Sequence, residues 1–149
     1  MSGRPIRVLF VCTANASRSI LAEALLRRVG GDAYEVHSAG IEPTVVHPLT
    51  RRVLEAAGFD HEWAAAKHVN DFAGQPFAYV VTLCDDARLV CPIFPGADQS
   101  MHWGYPEPAS VEGDEAARLL AFERVFTSLA ERVRQFVVVT GRKASAVPG

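Results

Sequence analysis

The sequence predicts an α/β fold, a three-layer domain in which a four-stranded parallel sheet carries helices on both faces. Three observations lead there. Short apolar runs such as Val8-Leu9-Phe10-Val11 and Tyr79-Val80-Val81 have the continuous pattern of strands covered on both sides. Segments between them repeat apolar residues at helical spacing and stop at glycine. Strands that alternate with helices pair in parallel through right-handed crossovers.

Taken in order, residues 6 to 11 form the first strand, and a helix follows from the Cys12–Ser19 turn to about Val29, ended by Gly30-Gly31. A second strand lies near Tyr34-Glu35-Val36-His37 and closes at Ser38-Ala39-Gly40. His47-Pro48 opens a second helix with proline in its first turn; Leu49, Val53 and Ala57 line its buried face and Gly58 ends it. Residues 60 to 75 have no clean period and read as a loop or short helix. Residues 77 to 83 make a third strand that delivers Cys84 at its end. The stretch from Asp85 to Ser100 is rich in turn residues and reads as a loop. A fourth strand lies near Met101-His102-Trp103, and Pro106 and Pro108 hold the next segment out of a helix. Leu119, Phe122, Phe126, Leu129, Val133 and Phe136 alternate spacings of three and four, which predicts a long amphipathic helix. One domain therefore spans residues 1–140, followed by a flexible tail at 141–149.

A length of 149 residues suffices for a core without disulfide or metal staples. A net charge of -2, with no basic stripe, argues against a nucleic-acid partner. No apolar run reaches bilayer length and the start has no signal-peptide core, so the expectation is a cytoplasmic monomer with no membrane partner. Three cysteines in a reducing compartment act as packed small residues or as working thiols. The histidines and cysteines show no metal-site spacing.

The segment Cys12-Thr13-Ala14-Asn15-Ala16-Ser17-Arg18-Ser19 sits at the first strand-to-helix turn. Backbone N–H groups and the positive helix end converge there, which suits an oxyanion and should favour a Cys12 thiolate with a lowered pKa. Arg18, six positions after Cys12, can fork onto the oxyanion while the thiol attacks its central atom. Asn15 tolerates a left-handed backbone, and Ser17 and Ser19 add donors. The loop lacks the Gly-Lys-Ser/Thr ending of a nucleotide-hydrolase loop. Ligands in such folds bind beyond the C-terminal strand ends, which puts Cys12, Cys84 and the segment around Glu107 on one edge.

Cys-x5-Arg-Ser at this position resembles the low-molecular-weight protein tyrosine phosphatases. His37-Ser38-Ala39-Gly40-Ile41-Glu42-Pro43, Val80-Val81-Thr82-Leu83-Cys84, Cys91-Pro92 and His102-Trp103-Gly104 resemble one branch of that fold, the thioredoxin-coupled arsenate reductases, from about Ile6 to Phe136. The resemblance implies arsenate as substrate, Cys12 as nucleophile, Arg18 as oxyanion clamp and Ser19 as donor to the thiolate. It implies Cys84 and Cys91 as resolving thiols, no bound cofactor, and thioredoxin as external reductant in arsenic detoxification. Residues Thr13 to Arg18 form the oxyanion loop. Glu107-Pro108 stands where the family has an aspartate before proline, implying Glu107 as general acid. Ala14 and Ala16 stand where a glycine and a serine are usual, so Ala14 must keep a negative φ or be strained. Asn15, Glu23 and Ser38 match positions that support a potassium ion behind the loop in some members, and Lys67 replaces a further acidic ligand with its own positive charge. Two rival readings remain open: a phosphatase working through a phosphocysteine, and a non-enzymatic oxyanion-binding or thiol-sensing protein.

Overall fold

The computed structural model describes residues 4–91 and 99–146. Its elements are β1 (Ile6–Cys12), α1 (Arg18–Gly30), β2 (Tyr34–Gly40), α2 (Pro48–Ala56), β3 (Tyr79–Thr82), α3 (Asp85–Val90), β4 (Gln99–His102) and α4 (Glu115–Ala146). The strands pair in the order β2-β1-β3-β4, all parallel.

Central β1 explains the layering. Val8, Leu9, Phe10 and Val11 are all fully buried although successive side chains point to opposite faces, so both faces are covered. Register puts Val8 and Phe10 on the face shared with Tyr34 and Tyr79. There Phe136 of α4 meets Tyr34 at 6.2 Å and Tyr79 at 5.2 Å between ring centroids, and Trp103 bridges Phe10 and Phe136. The opposite face carries His37 against Phe72 and Phe77. Burial of these apolar groups, each contributing roughly 1.5–3 kcal/mol, is the main force holding the layers.

Two expectations are corrected. The stretch after Cys84 is helical over Asp85–Val90 before any loop begins. Asp85 and Asp86 complement the positive end of its first turn, and Cys84 Sγ accepts from Ala87 N in place of an oxygen cap. The expected turns at Pro92 and Pro95-Gly96 lie outside the described residues. The expected flexible tail from Gly141 is instead helical as far as Ala146. Gly141 costs a helix only about 1 kcal/mol, which the preceding turns of α4 can carry. No helix among the described residues is long and apolar enough to cross a membrane.

Candidate active site

At the C-terminal end of β1 the chain turns through Thr13–Ser17 into α1. The bend is made at Asn15, the one non-glycine residue with positive φ (51°) among the described residues, and its side chain stabilises the conformation. Asn15 Nδ2 donates to Ser19 Oγ at 2.7 Å and to Ser38 Oγ at 3.0 Å, while Asn15 Oδ1 accepts from Lys67 N at 2.9 Å. Ala14 therefore needs no left-handed backbone. The following segment fastens the loop from outside: Ile41, Glu42, Thr44 and His47 N–H groups donate to the carbonyls of Cys12, Thr13, Ala14 and Ala16. Thr50 Oγ1 also donates to the Ala16 carbonyl.

Cys12 is buried at the floor of the loop, its Sγ 2.8 Å from Ser19 Oγ. Burial raises the thiol above its ordinary pKa; hydrogen bonds from Ser19 and Asn15 and the Arg18 charge oppose that rise. The expected depressed value is thus overturned: the polar groups of the turn do not outweigh the lost hydration of a sulfur sealed beneath them.

Arg18 is buried, with its side chain 5% exposed. Nη1 donates to the Tyr105 carbonyl at 2.9 Å and Nη2 to Glu107 Oε2 at 2.7 Å. Its Nε is the buried side-chain polar atom left without a partner among the described residues. An orphaned N–H of a guanidinium is costly, and Arg18 shares a cleft wall with Thr13 and Ala14 of the loop. Glu107 accepts also from Ser17 Oγ and from Ala109 N, so the Ser17 hydroxyl is turned to Glu107 and does not cap α1.

Cys84 lies beside the loop because Leu83 N donates to the Val11 carbonyl and continues the β1–β3 register. Its Sγ is 3.0 Å from Thr13 Oγ1. Two clefts of about 330 Å³ each have Arg18, Cys84 and Asp85 in common in their walls; one adds Thr13, Ala14 and Glu107, the other Gly104, Tyr105 and Pro106. Cys91 is not brought there. It caps the far end of α3 and lines a separate cavity of about 300 Å³ with Arg88, Thr82 and His102. Burial pushes its thiol up to about 11.

Behind the loop, buried Glu23 accepts from Ser38 Oγ at 2.6 Å and from Arg27 Nη2. Lys67 Nζ stands 4.0 Å from Glu23 Oε1 and 3.5 Å from Ser38 Oγ. Desolvation lowers the Lys67 pKa, and the Glu23 charge opposes the shift.

One residue carries structural weight that pattern reading missed. A Cβ at Gly40 would stand 2.6 Å from the Thr13 carbonyl oxygen and 2.9 Å from Asn15 N. β2 can run alongside the loop only because that side chain is absent. A glycine ending a strand next to a turn was the available signal.

The chain is similar to known proteins in both sequence and fold. The model of the low molecular weight phosphotyrosine protein phosphatase family matches residues 7–146. An arsenate reductase of Halalkalibacterium halodurans is 33% identical over 129 residues, 87% of this chain and 93% of its own. That of Bacillus subtilis is 32% identical over the same shares. Among solved structures, an arsenate reductase in the phosphate binding state superposes with a TM-score of 0.74 at 25% identity, covering 89% of this chain and 97% of that one. The thioredoxin-dependent arsenate reductase of Corynebacterium glutamicum gives 0.71 at 27% identity, covering 96% of this chain and 65% of that one. The tyrosine phosphatase Wzb of Escherichia coli K30, at 18% identity and a TM-score of 0.71, shares the fold.

Proposed function

We propose that this chain, which belongs to the low molecular weight phosphotyrosine protein phosphatase family, is an arsenate reductase that resolves its substrate adduct with its own thiols. The observation that carries the reading is a second thiol at the oxyanion loop: Cys84 Sγ stands 3.0 Å from Thr13 Oγ1, in the same cleft wall as Arg18. Hydrolysis of a phosphocysteine uses water and has no role for that thiol.

Arsenate enters the loop and accepts from the free Arg18 Nε. As its negative charge arrives, Glu107 gives up Arg18 Nη2 and turns toward the departing oxygen. Cys12 Sγ, held by Ser19, gives up its proton as it attacks arsenic(V), and that proton, relayed by Glu107, leaves on the departing oxygen as water. Cys84 then attacks Cys12 Sγ. The electron pair of the sulfur–arsenic bond goes to arsenic, arsenite leaves, and a Cys12–Cys84 disulfide remains. Cys91 next attacks Cys84 and releases Cys12 as thiolate. Thioredoxin reduces the resulting Cys84–Cys91 disulfide.

The last exchange requires α3 to open. Cys84 and Cys91 are seven residues apart at the two ends of the helix, roughly 10 Å at 1.5 Å per residue, whereas a disulfide needs Cα atoms about 4.4–6.8 Å apart. With fewer than two turns, Leu89 82% exposed and Ala87 the one fully buried helical side chain among the described residues, α3 is short enough to open locally.

The test follows NADPH consumption with arsenate, thioredoxin and thioredoxin reductase. Multiple turnover is expected only with all three thiols, and about one arsenite per molecule from Cys91→Ser. Unchanged turnover in Cys84→Ser would sink the relay. Arsenate-independent hydrolysis of an aryl phosphate as the main activity would favour a phosphatase, and no turnover with any reductant would favour an oxyanion sensor.

A further inference from the structure

His102 lies outside the oxyanion loop, and no step above employs it. It ends β4 directly beside Thr82 of β3, and its ring is pinned at both nitrogens. Nδ1 is 2.8 Å from Thr82 Oγ1, and Nε2 is 3.0 Å from Asp85 Oδ1 in the first turn of α3. The same imidazole lines the cavity of about 300 Å³ that Cys91 lines.

We propose that His102 is the base that takes the Cys91 thiol proton in the second exchange of the relay, becoming available when α3 opens. The inference rests on the arsenate reductase reading, because only that reading gives Cys91 a step to perform.

The chemical need comes from Cys91 itself. With α3 formed, burial pushes this thiol up to about 11, so Cys91 enters the exchange protonated and its proton needs an acceptor as the residue leaves the cavity. The other ionisable group in the cavity wall, Arg88, stays charged and cannot accept a proton. Imidazole is the side chain suited to that transfer near neutral pH.

The hydrogen bonds explain why the base is silent until it is wanted. While α3 is formed, the Asp85 carboxylate can only accept, so Nε2 carries the proton and Nδ1 accepts from the Thr82 hydroxyl. Opening α3 withdraws Asp85. The Thr82 hydroxyl has a second acceptor within reach, the Met101 carbonyl at 3.3 Å. By donating there it can accept from Nδ1–H instead, and the tautomer shift leaves a lone pair on Nε2, the nitrogen that Asp85 has vacated. The same motion therefore frees Cys91 to approach Cys84 and uncovers the base that activates it.

The step balances. The proton passes from Cys91 Sγ to His102 Nε2, and the Cys91 thiolate forms a bond to Cys84 Sγ. The Cys12–Cys84 bond breaks, and Cys12 departs as a thiolate received by Ser19 and Arg18. One disulfide replaces another, and the imidazolium returns its proton to solvent.

The experiment mixes reduced, oxygen-free protein with one equivalent of arsenate and no external reductant. Free thiols are then trapped by alkylation at timed intervals, while arsenite and the identity of the disulfide are read by mass spectrometry. In the parent, arsenite release precedes conversion of Cys12–Cys84 to Cys84–Cys91. In His102→Gln the arsenite burst should be retained while the conversion slows about 100-fold. In His102→Ala, added imidazole should restore much of the lost rate, which a packing role would not permit. Conversion in His102→Gln within twofold of the parent overturns the assignment, as does failure of imidazole to accelerate His102→Ala. Loss of the burst in His102→Gln overturns it as well, by tying the residue to folding or to the first exchange. A parent that releases no arsenite defeats the arsenate reading itself, and this inference with it.

Discussion

Arg18 Nη2 donates to Glu107 Oε2 at 2.7 Å, so the cation proposed to hold the oxyanion rests against a carboxylate of its own chain. An entering anion competes with Glu107 for that donor. Glu107→Gln should therefore bind inorganic phosphate several-fold more tightly, an effect of about 1 kcal/mol at a partly exposed pair, while turning over arsenate more slowly for want of an acid. Phosphate inhibition constants and arsenate turnover, measured on the same preparations, check both signs.

Ser19 opposes the burial that raises the Cys12 thiol. Ser19→Ala should lower the rate of Cys12 alkylation by iodoacetamide at pH 7 by about tenfold, in line with one lost hydrogen bond to a charged sulfur. Its rate–pH profile should move toward higher pH. A profile that coincides with the parent's would remove Ser19 from thiolate support.

Gly40→Ala drives a methyl into the Thr13 carbonyl, against backbone that cannot move without deforming the oxyanion loop. The expected outcome is a loss of about 1–3 kcal/mol in urea unfolding together with weakened phosphate binding. Retention of both would mean that β2 can shift away from the loop at little cost.

Lys67 and Arg27 together face the buried Glu23 carboxylate, and Lys67 also supports Asn15 through its backbone N–H. If the ammonium does the work of a bound ion, parent turnover should be the same in potassium and sodium at fixed ionic strength. Lys67→Gln should lose activity and recover part of it specifically with potassium. A sharp potassium activation of the parent would contradict this role.

The Cys91 thiol supplies a stability test. Its folded-state value of about 11 exceeds the ordinary 9.0, so the folded chain holds this proton more tightly than the unfolded one. The resulting stabilisation is fully present below pH 9 and is lost as pH rises toward 11. For a half-buried group the loss is on the order of 1–2 kcal/mol after solvent screening. Urea unfolding of the parent between pH 8 and pH 11 should show it, and Cys91→Ser should lack that component.

The fold and the floor of the site were legible in the residues because both depend on local signals. The buried run of β1, the glycine stops at Gly30 and Gly58 and the proline start of α2 each act within one turn or strand. Asn15 likewise announced the left-handed bend by its own chemistry, and the structure places it at φ 51°. Order of strands and helices then put Cys12, Cys84 and Glu107 at one edge, where the structure has them.

Relations that depend on two distant segments meeting were decided by the tertiary structure. Sequence alone placed a thiol six residues before an arginine at a strand-to-helix turn; only the packed loop showed that burial raises that thiol and that Arg18 Nε has no acceptor among the described residues. Desolvation is a property of everything that surrounds an atom, and no run of neighbours along the chain reports it. The α3 helix was obscured because six residues give too short a pattern to separate from a turn, and its first turn is favoured by an N-cap sulfur and tied to β4 through His102. That tie joins residues seventeen positions apart, as the Gly40 contact joins the end of β2 to the Thr13–Asn15 turn. The chain's own letters thus determined which chemistry was available, while the three-dimensional packing decided which of those groups face each other and in what state of charge they wait.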